Sequence, residues 1–305
     1  MRVLITGATG LVGRELTAAL LQKNHQVNFL TTRASQRNTL AGAQGFLWDP
    51  SQNNIDSQCF EGVDVIIHLA GTSISIPWTS KNKKAILESR VETTRLLQKA
   101  YQKFSGGRCK KFITASAIGI YPSDSERLWV EENSDQIKPH SFLQKVVAQW
   151  EGAVSELATD FSSIIHLRIG LVLSNQGGVF PTLKLPTQWG VGAAFGSGNQ
   201  YQPWIHVDDV ARAFVHAAEK LDQGIYNAVS PSPVTQNELI QQLGKKLKRP
   251  VFLPNIPAFV MRAVLGERSQ LVLNSQRVSA DRLVNSGFQF NYHSLEEALT
   301  DLIKK

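Results

Sequence analysis

The chain has 305 residues, 42% of them hydrophobic and 19% charged, with 32 Lys and Arg against 25 Asp and Glu for a formal net charge of +7. That length supports one large α/β domain or two smaller ones around a substantial core. The basic clusters at 81–84, 108–111 and 245–249 are scattered and lack interleaved aromatics, which argues against a nucleic-acid partner, while the positive balance suits an anionic cofactor or substrate.

The predicted elements alternate along the first half. RVLIT (2–6) reads as a buried strand and 11–24 as a helix. QVNFLTT (26–32) and GVDVIIHLAG (62–71) read as strands, and 81–104 as a long helix. KKFITASA (110–117) is the next strand, 142–158 the next helix, and SSIIHLRIGLVLS (162–174) another strand. Such alternation predicts an α/β fold, a doubly wound parallel sheet with helices on both faces. Residues 175–203 are rich in Gly, Pro and aromatics and read as a loop-rich substrate region. Strand and helix return over 204–220, with a strand at 224–230. From Pro231 onward helices separated by Pro and Gly predict a small, mostly helical C-terminal substrate lobe. The expected division is 1–174 plus 204–230 for a nucleotide-binding domain and 175–203 plus 231–305 for the lobe.

Cys59 and Cys109 form neither a CxxC pair nor a disulfide framework, which suits a reducing compartment. The start MRVLITG lacks a signal peptide's apolar run, and no apolar stretch approaches a membrane span, so the expected location is cytoplasmic, with no membrane partner. The seven histidines show no metal-ligand spacing, so no metal is expected.

LITGATGLVGREL places Gly7, Gly10 and Gly13 between the first strand and the first helix. Gly7 allows the tight turn, Gly10 lets backbone approach a pyrophosphate, and Gly13 lets the helix pack close to the strand. N–H groups of Thr9, Leu11 and Val12 are then available to phosphates. A ribose-binding Asp or Glu is expected at the end of the second strand in NAD sites. Here FLTTRASQR presents Thr32, Arg33 and Arg37 and no acid. Arg33 can pair a 2′-phosphate by charge-assisted hydrogen bonds, so the expected cofactor is NADP(H).

Taken together, TGATGLVG, VIIHLAG, ITASAIGIY, LRIGLVLS and WIHVDDVARA resemble the extended short-chain dehydrogenase/reductase superfamily. The closer resemblance is to its atypical branch filed as NAD-dependent epimerase/dehydratase or sugar-nucleotide epimerase, some members of which carry a cell-division inhibitor label. It runs nearly end to end, through WDP (48–50), PWTSKNKKAILESRVETTR (77–95), GSGNQYQPWIHVDD (196–209), PSPVTQNE (231–238), RPVFLPNIPAFVMRAVLGE (249–267) and QRVSADRLVNSGFQF (276–290). The resemblance implies a Rossmann domain with a small lobe. It implies that Leu69, Ala70 and Gly71 lie along the cofactor, that Ser116 orients a substrate oxygen, and that Arg168 and Gly170 stand beside the nicotinamide. His206 with Asp208 or Asp209 reads as a tie between the lobes. Arg90 either faces the site or makes a surface salt bridge.

The superfamily's YxxxK helix pair supplies a proton donor and a ribose-holding lysine. Here Phe142 stands where the tyrosine is expected, with Lys145 three residues on. A spacing of three keeps the two on one helical face, so Lys145 is read as the ribose ligand, against the alternative of a solvated surface lysine. Phe142 cannot transfer a proton. Tyr121 is a candidate substitute acid beside a lysine- or water-mediated route, and Trp78, Trp189 and Trp204 are candidates to line the substrate cavity. Two functions stand: an NADP(H)-dependent oxidoreductase or epimerase acting on a small carbonyl or sugar nucleotide, and a non-catalytic NADP(H)-binding regulatory or redox-sensing module acting through a protein partner. A third reading, a serine hydrolase, has little support, since Ser116 sits in ASAIG and not in a GxSxG elbow. The superfamily often dimerises through the helices that here span 81–104 and 142–158, so a monomer or homodimer is expected.

Overall fold

A computed structural model describes residues 1–104 and 106–304 of the chain, the Asp135 side chain apart. Its centre is an eight-stranded sheet. Strand β1 (Arg2–Thr6) leads into helix α1 (Leu11–Gln22), then β2 (Gln26–Thr31), β3 (Ala43–Asp49), β4 (Asn54–Ile55) and β5 (Val65–His68). Helix α2 (Ser80–Phe104), β6 (Lys111–Ala117) and helix α3 (Phe142–Ser155) follow. Strands Ser163–Ile169 and Gly224–Ala228 complete the sheet, whose order is Gly224–Ala228, Ser163–Ile169, β6, β5, β1, β2, β3, β4. Every pairing is parallel except β3 with β4.

The strands are apolar runs because helices cover both faces. Val3, Leu4 and Ile5 are fully buried, as are Ile66, Ile67, Phe112 and Ile113. Helix α1 lays Gly13, Leu16, Thr17 and Leu20 on the sheet, a stripe at three- and four-residue spacing. Helix α3 begins at a capping box: Ser141 Oγ accepts the Gln144 N–H, and Gln144 Oε1 accepts the N–H groups of Ser141 and His140. From β1 the chain first winds outward through β2 and β3, then crosses back to β5 on the other side. That reversal opens a crevice beyond the carboxyl ends of β1 and β5, the usual ligand position in doubly wound sheets.

The C-terminal lobe has its own core, built from Leu173, Phe180, Trp204, Leu239, Leu243, Leu299 and neighbours. It depends on helices Phe180–Gln188, Gln236–Leu247 and Leu295–Lys304. The first of these lies inside the stretch read from sequence as loop-rich. The expected division also shifts. Residues 276–290 return to the large domain, where Gln276–Val278 pairs in parallel with the strand Asp124–Trp129 and Val278, Leu283, Phe288 and Phe290 join the main core. Asp209 ties the parts together, its buried carboxylate accepting the N–H groups of Asn291 and Tyr292 and pairing with Arg212. His206 caps the helix that carries Asp209 and lies 3.4 Å from Asp301. Among the described residues no helix is long and apolar enough to cross a membrane.

Candidate functional site

The crevice is a cleft of about 850 Å³. Gly7, Thr9 and Gly10 line it from the β1 exit, Thr32 and Arg33 from the β2 exit, and Leu69, Ala70 and Gly71 from the β5 exit. The glycines are needed as glycines. Gly7 has φ +72°, and a Cβ there would press within 2.9 Å of the Leu69 carbonyl carbon. A Cβ on Gly10 would sit 3.2 Å from the Gly7 carbonyl oxygen, and one on Gly13 would overlap that oxygen and come within 2.6 Å of the Ala8 Cα. The first helical hydrogen bond of α1 runs from Arg14 N–H to Gly10 C=O, so the N–H groups of Leu11, Val12 and Gly13 have no acceptor within the helix. Backbone donors and a helix N-terminus at a side-chain-free floor fit a pyrophosphate. Opposite stand Trp48, Pro50 and Ser51, so the WDP segment walls the cleft.

Arg33 lines this cleft, and among the described residues no carboxylate pairs with it. Arg37 does not join it: its Nε donates to the Gly45 carbonyl at 3.2 Å, outside the residues that line the cleft.

The floor is held by groups the sequence reading passed over. Thr6 Oγ1 accepts the N–H groups of Leu69 and Ala70, each at 3.1 Å, and so fixes the β5 exit against Gly7. Its own proton goes to His68 Nδ1 at 2.7 Å, which assigns the imidazole proton to Nε2, facing Thr93 Oγ1 at 3.2 Å. His68 is fully buried, and burial pushes its pKa down to about 3, so it is neutral. Only the pairing of β1 with β5 brings Thr6 and His68 side by side.

The residues expected to carry catalysis lie elsewhere than anticipated. Ser116 is buried on β6, and its Oγ donates to Glu151 Oε1 of α3 at 2.5 Å. Glu151 also accepts from Arg168, Nε at 2.8 Å and Nη2 at 2.7 Å. Arg168 Nη1 donates to Tyr121 Oη at 3.0 Å, and Tyr121 donates to Asn227 Oδ1 at 2.8 Å. Tyr121 and Arg168 are each 1% exposed. Burial pushes the Tyr121 hydroxyl above its ordinary pKa. Burial also works to raise that of Glu151, but hydrogen bonds and charge from Arg168 outweigh it and hold the carboxyl below the usual range. Ser116, Tyr121 and Arg168 thus form one closed internal network. The strand alternation that turns Ser116 toward α3 sends Ala117 the other way.

Helix α3 differs as well. Phe142 meets Trp78 edge-on, ring centroids 4.9 Å apart, and Lys145 is exposed. Two pairs at a spacing of four line a cavity instead, Leu143 with Val147 and Val146 with Trp150, none of them an acid or base. That second cavity, about 240 Å³, lies beyond the carboxyl ends of β6 and Ser163–Ile169, at the same edge of the sheet as the cleft. Gly119, Gly170, Trp150, Gln202 and Tyr201 are also in its walls, together with Arg90. Gly170 lines this cavity, whereas Arg168 is behind it. Of the tryptophans considered, Trp204 is buried in the lobe core and Trp189 is 78% exposed. Trp150, which the sequence reading did not single out, is the one in the wall.

The chain is similar to known proteins over nearly its whole length. The model of the NAD dependent epimerase/dehydratase family matches residues 3–228, and a domain of unknown function (DUF1731) matches residues 256–302. Epimerase family protein SSP1921 of Staphylococcus saprophyticus is 33% identical over 301 residues, 98% of this chain and 98% of its own. Epimerase family protein YfhF of Bacillus subtilis is 33% identical over 304 residues, 99% of this chain and 98% of its own. Among solved structures, the human epimerase family protein SDR39U1 (isoform 2) with NADPH superposes with a TM-score of 0.86 at 30% identity, covering 100% of this chain and 99% of that one.

Proposed function

The chain belongs to the NAD-dependent epimerase/dehydratase family, and from that premise we propose that it is an NADP(H)-binding oxidoreductase of the extended short-chain type, reducing or epimerising a small carbonyl or sugar-nucleotide substrate. The observation that carries the cofactor reading is Arg33, in the cleft wall without a carboxylate partner among the described residues, where an NAD site would present an acid. The human relative whose structure is with NADPH supports the same choice.

In this reading Gly7, Thr9, Gly10 and the N–H groups of Leu11, Val12 and Gly13 hold the pyrophosphate. Thr32 and Arg33 hold the 2′-phosphate, and Leu69, Ala70 and Gly71 lie along the adenosine and ribose. When bound, the nicotinamide supplies a hydride donor or acceptor. Lys145, exposed on α3, takes no part. Ser116 positions Glu151 and Arg168 behind the cavity and does not touch substrate. The proton for the substrate oxygen falls to Tyr201, the one tyrosine among the described residues of the second cavity's wall, in place of the missing helix tyrosine.

The test is a fluorescence titration with NADPH and NADH on the parent chain and on Arg33→Ala. The parent should prefer NADPH, and the variant should lose about ten- to a hundredfold in NADPH affinity while NADH binding is unchanged. Equal affinity of the parent for both nucleotides overturns the reading. A second reading, a non-catalytic NADP(H)-sensing module acting through a partner, is favoured by the apolar pair Leu143 and Val147. NADPH binding without turnover on a carbonyl panel, in parent and Tyr201→Phe alike, would select it.

A further inference from the structure

Among the described residues the polar side chains that line the second cavity are one cation, Arg90, and the neutral Trp150, Tyr201, Gln202, Gln270, Asn274 and Gln276. Among the described residues no carboxylate lines it. Gln202 is 5% exposed and Trp150 6%, yet among the described residues Gln202 Nε2 and Trp150 Nε1 have no acceptor. Buried donors are normally satisfied, and these two stand without an acceptor on residues of the cavity wall. Arg90 adds a charge to the same argument. Its Nη1 donates to the carbonyls of Thr72 and Ile86, at 3.0 and 2.8 Å, and its guanidinium lies 5.1 Å from the Trp150 ring centroid. Among the described residues no carboxylate forms an ion pair with it, although the side chain is half-buried. A charge withdrawn from water calls for a counter-ion. Leu143, Val147, Leu171 and Ile118 supply an apolar part of the walls.

We propose that this cavity binds a compact carbonyl compound that carries a carboxylate on an apolar body. The carboxylate pairs with Arg90, the carbonyl oxygen accepts from the Gln202 amide, and the body packs against Leu143, Val147 and Leu171. The proposal rests on the reading of the chain as an NADP(H)-dependent oxidoreductase and narrows its substrate class. It disfavours a sugar nucleotide. The cavity, at about 240 Å³, is below the roughly 300–1,000 Å³ of pockets that enclose drug-sized ligands. Among the described residues Arg90 is also the single cation in its walls, where a diphosphate would need more.

The experiment uses the full chain with and without NADP⁺ and four probes, measured by calorimetry and ligand-observed NMR. Benzoylformate carries both groups, methyl benzoylformate lacks the charge, phenylacetate lacks the carbonyl, and UDP-glucose represents sugar nucleotides. Benzoylformate should bind at least about tenfold tighter than each of the others. Arg90→Gln should abolish the preference for the acid over its ester while Arg90→Lys keeps most of it, and Gln202→Leu should abolish the preference for benzoylformate over phenylacetate. Ester and acid binding equally to the parent chain, or UDP-glucose binding tightest, overturns the proposal whatever the variants do. So does Arg90→Gln losing NADPH affinity with its acid preference intact. NADPH titrated into the same samples separates the two readings: NADPH binding without benzoylformate binding refutes this inference alone, and benzoylformate binding without NADPH binding refutes the cofactor reading.

Discussion

Replacing Glu151 by Gln removes one charge from a buried pair and leaves its partner in place. The Arg168 side chain is 2% exposed and that of Glu151 14%, joined through two hydrogen bonds of 2.8 and 2.7 Å. Stranding a buried guanidinium in this way costs about 3–5 kcal/mol. At about 2 °C per kcal/mol for a chain of this size, the melting temperature should fall by about 6–10 °C. The pH profile gives an independent signature. The folded Glu151 carboxyl is held below its ordinary value of 4.5, so its contribution is complete above that pH and is lost as pH falls through the folded value. Stability of the parent should therefore drop more steeply than that of Glu151→Gln below about pH 4.5. The assay is urea unfolding followed by tryptophan fluorescence across pH 3–8. Double replacement by Met at Glu151 and Arg168 should recover part of the loss, because an apolar pair leaves no uncompensated charge. A single variant within about 1 kcal/mol of the parent, or a double variant less stable than the single, would refute the account of this network.

Gly13→Ala should abolish NADPH binding and lower stability, since its Cβ would overlap the Gly7 carbonyl oxygen; nucleotide titration with a parallel melt checks both. Thr6→Val removes the acceptor of the Leu69 and Ala70 N–H groups and should cost about 1–3 kcal/mol, with weaker NADPH binding, measured by denaturant unfolding and titration. His68 has a folded pKa of about 3 against an ordinary 6.5, so its contribution is present above pH 6.5 and is lost as pH falls toward 3. Unfolding free energy should decline through that window by up to about 1.4 kcal/mol per pH unit from this group, and His68→Gln should flatten the decline.

What the sequence determined by itself is what local chemistry dictates. Runs such as RVLIT and KKFITASA can only be strands buried on both faces, and the glycines at 7, 10 and 13 place a phosphate cradle wherever a strand turns into a helix. An arginine in place of an acid at the end of β2 is visible without coordinates, because the position is fixed by its distance from the glycines. β3 and β4 escaped because AQGFLWD mixes glycine and polar residues into a strand whose pairing with β2 alone makes it regular.

Tertiary structure decided where the candidate catalytic residues lie. Helical spacing leaves open which side of α3 meets the cavity: Phe142 and Lys145 share a face, but packing against Gly119 turns Leu143 and Val147 inward instead. Ser116 and Tyr121 carry the right chemical groups, yet whether a hydroxyl meets substrate or a buried ion pair depends on Glu151, 35 residues away, and Asn227, 106 away. Gln202 and Trp150 show why the second cavity was invisible from the chain. Their significance lies in donors left without acceptors, and an unsatisfied group exists only once the fold has assigned partners to all its neighbours.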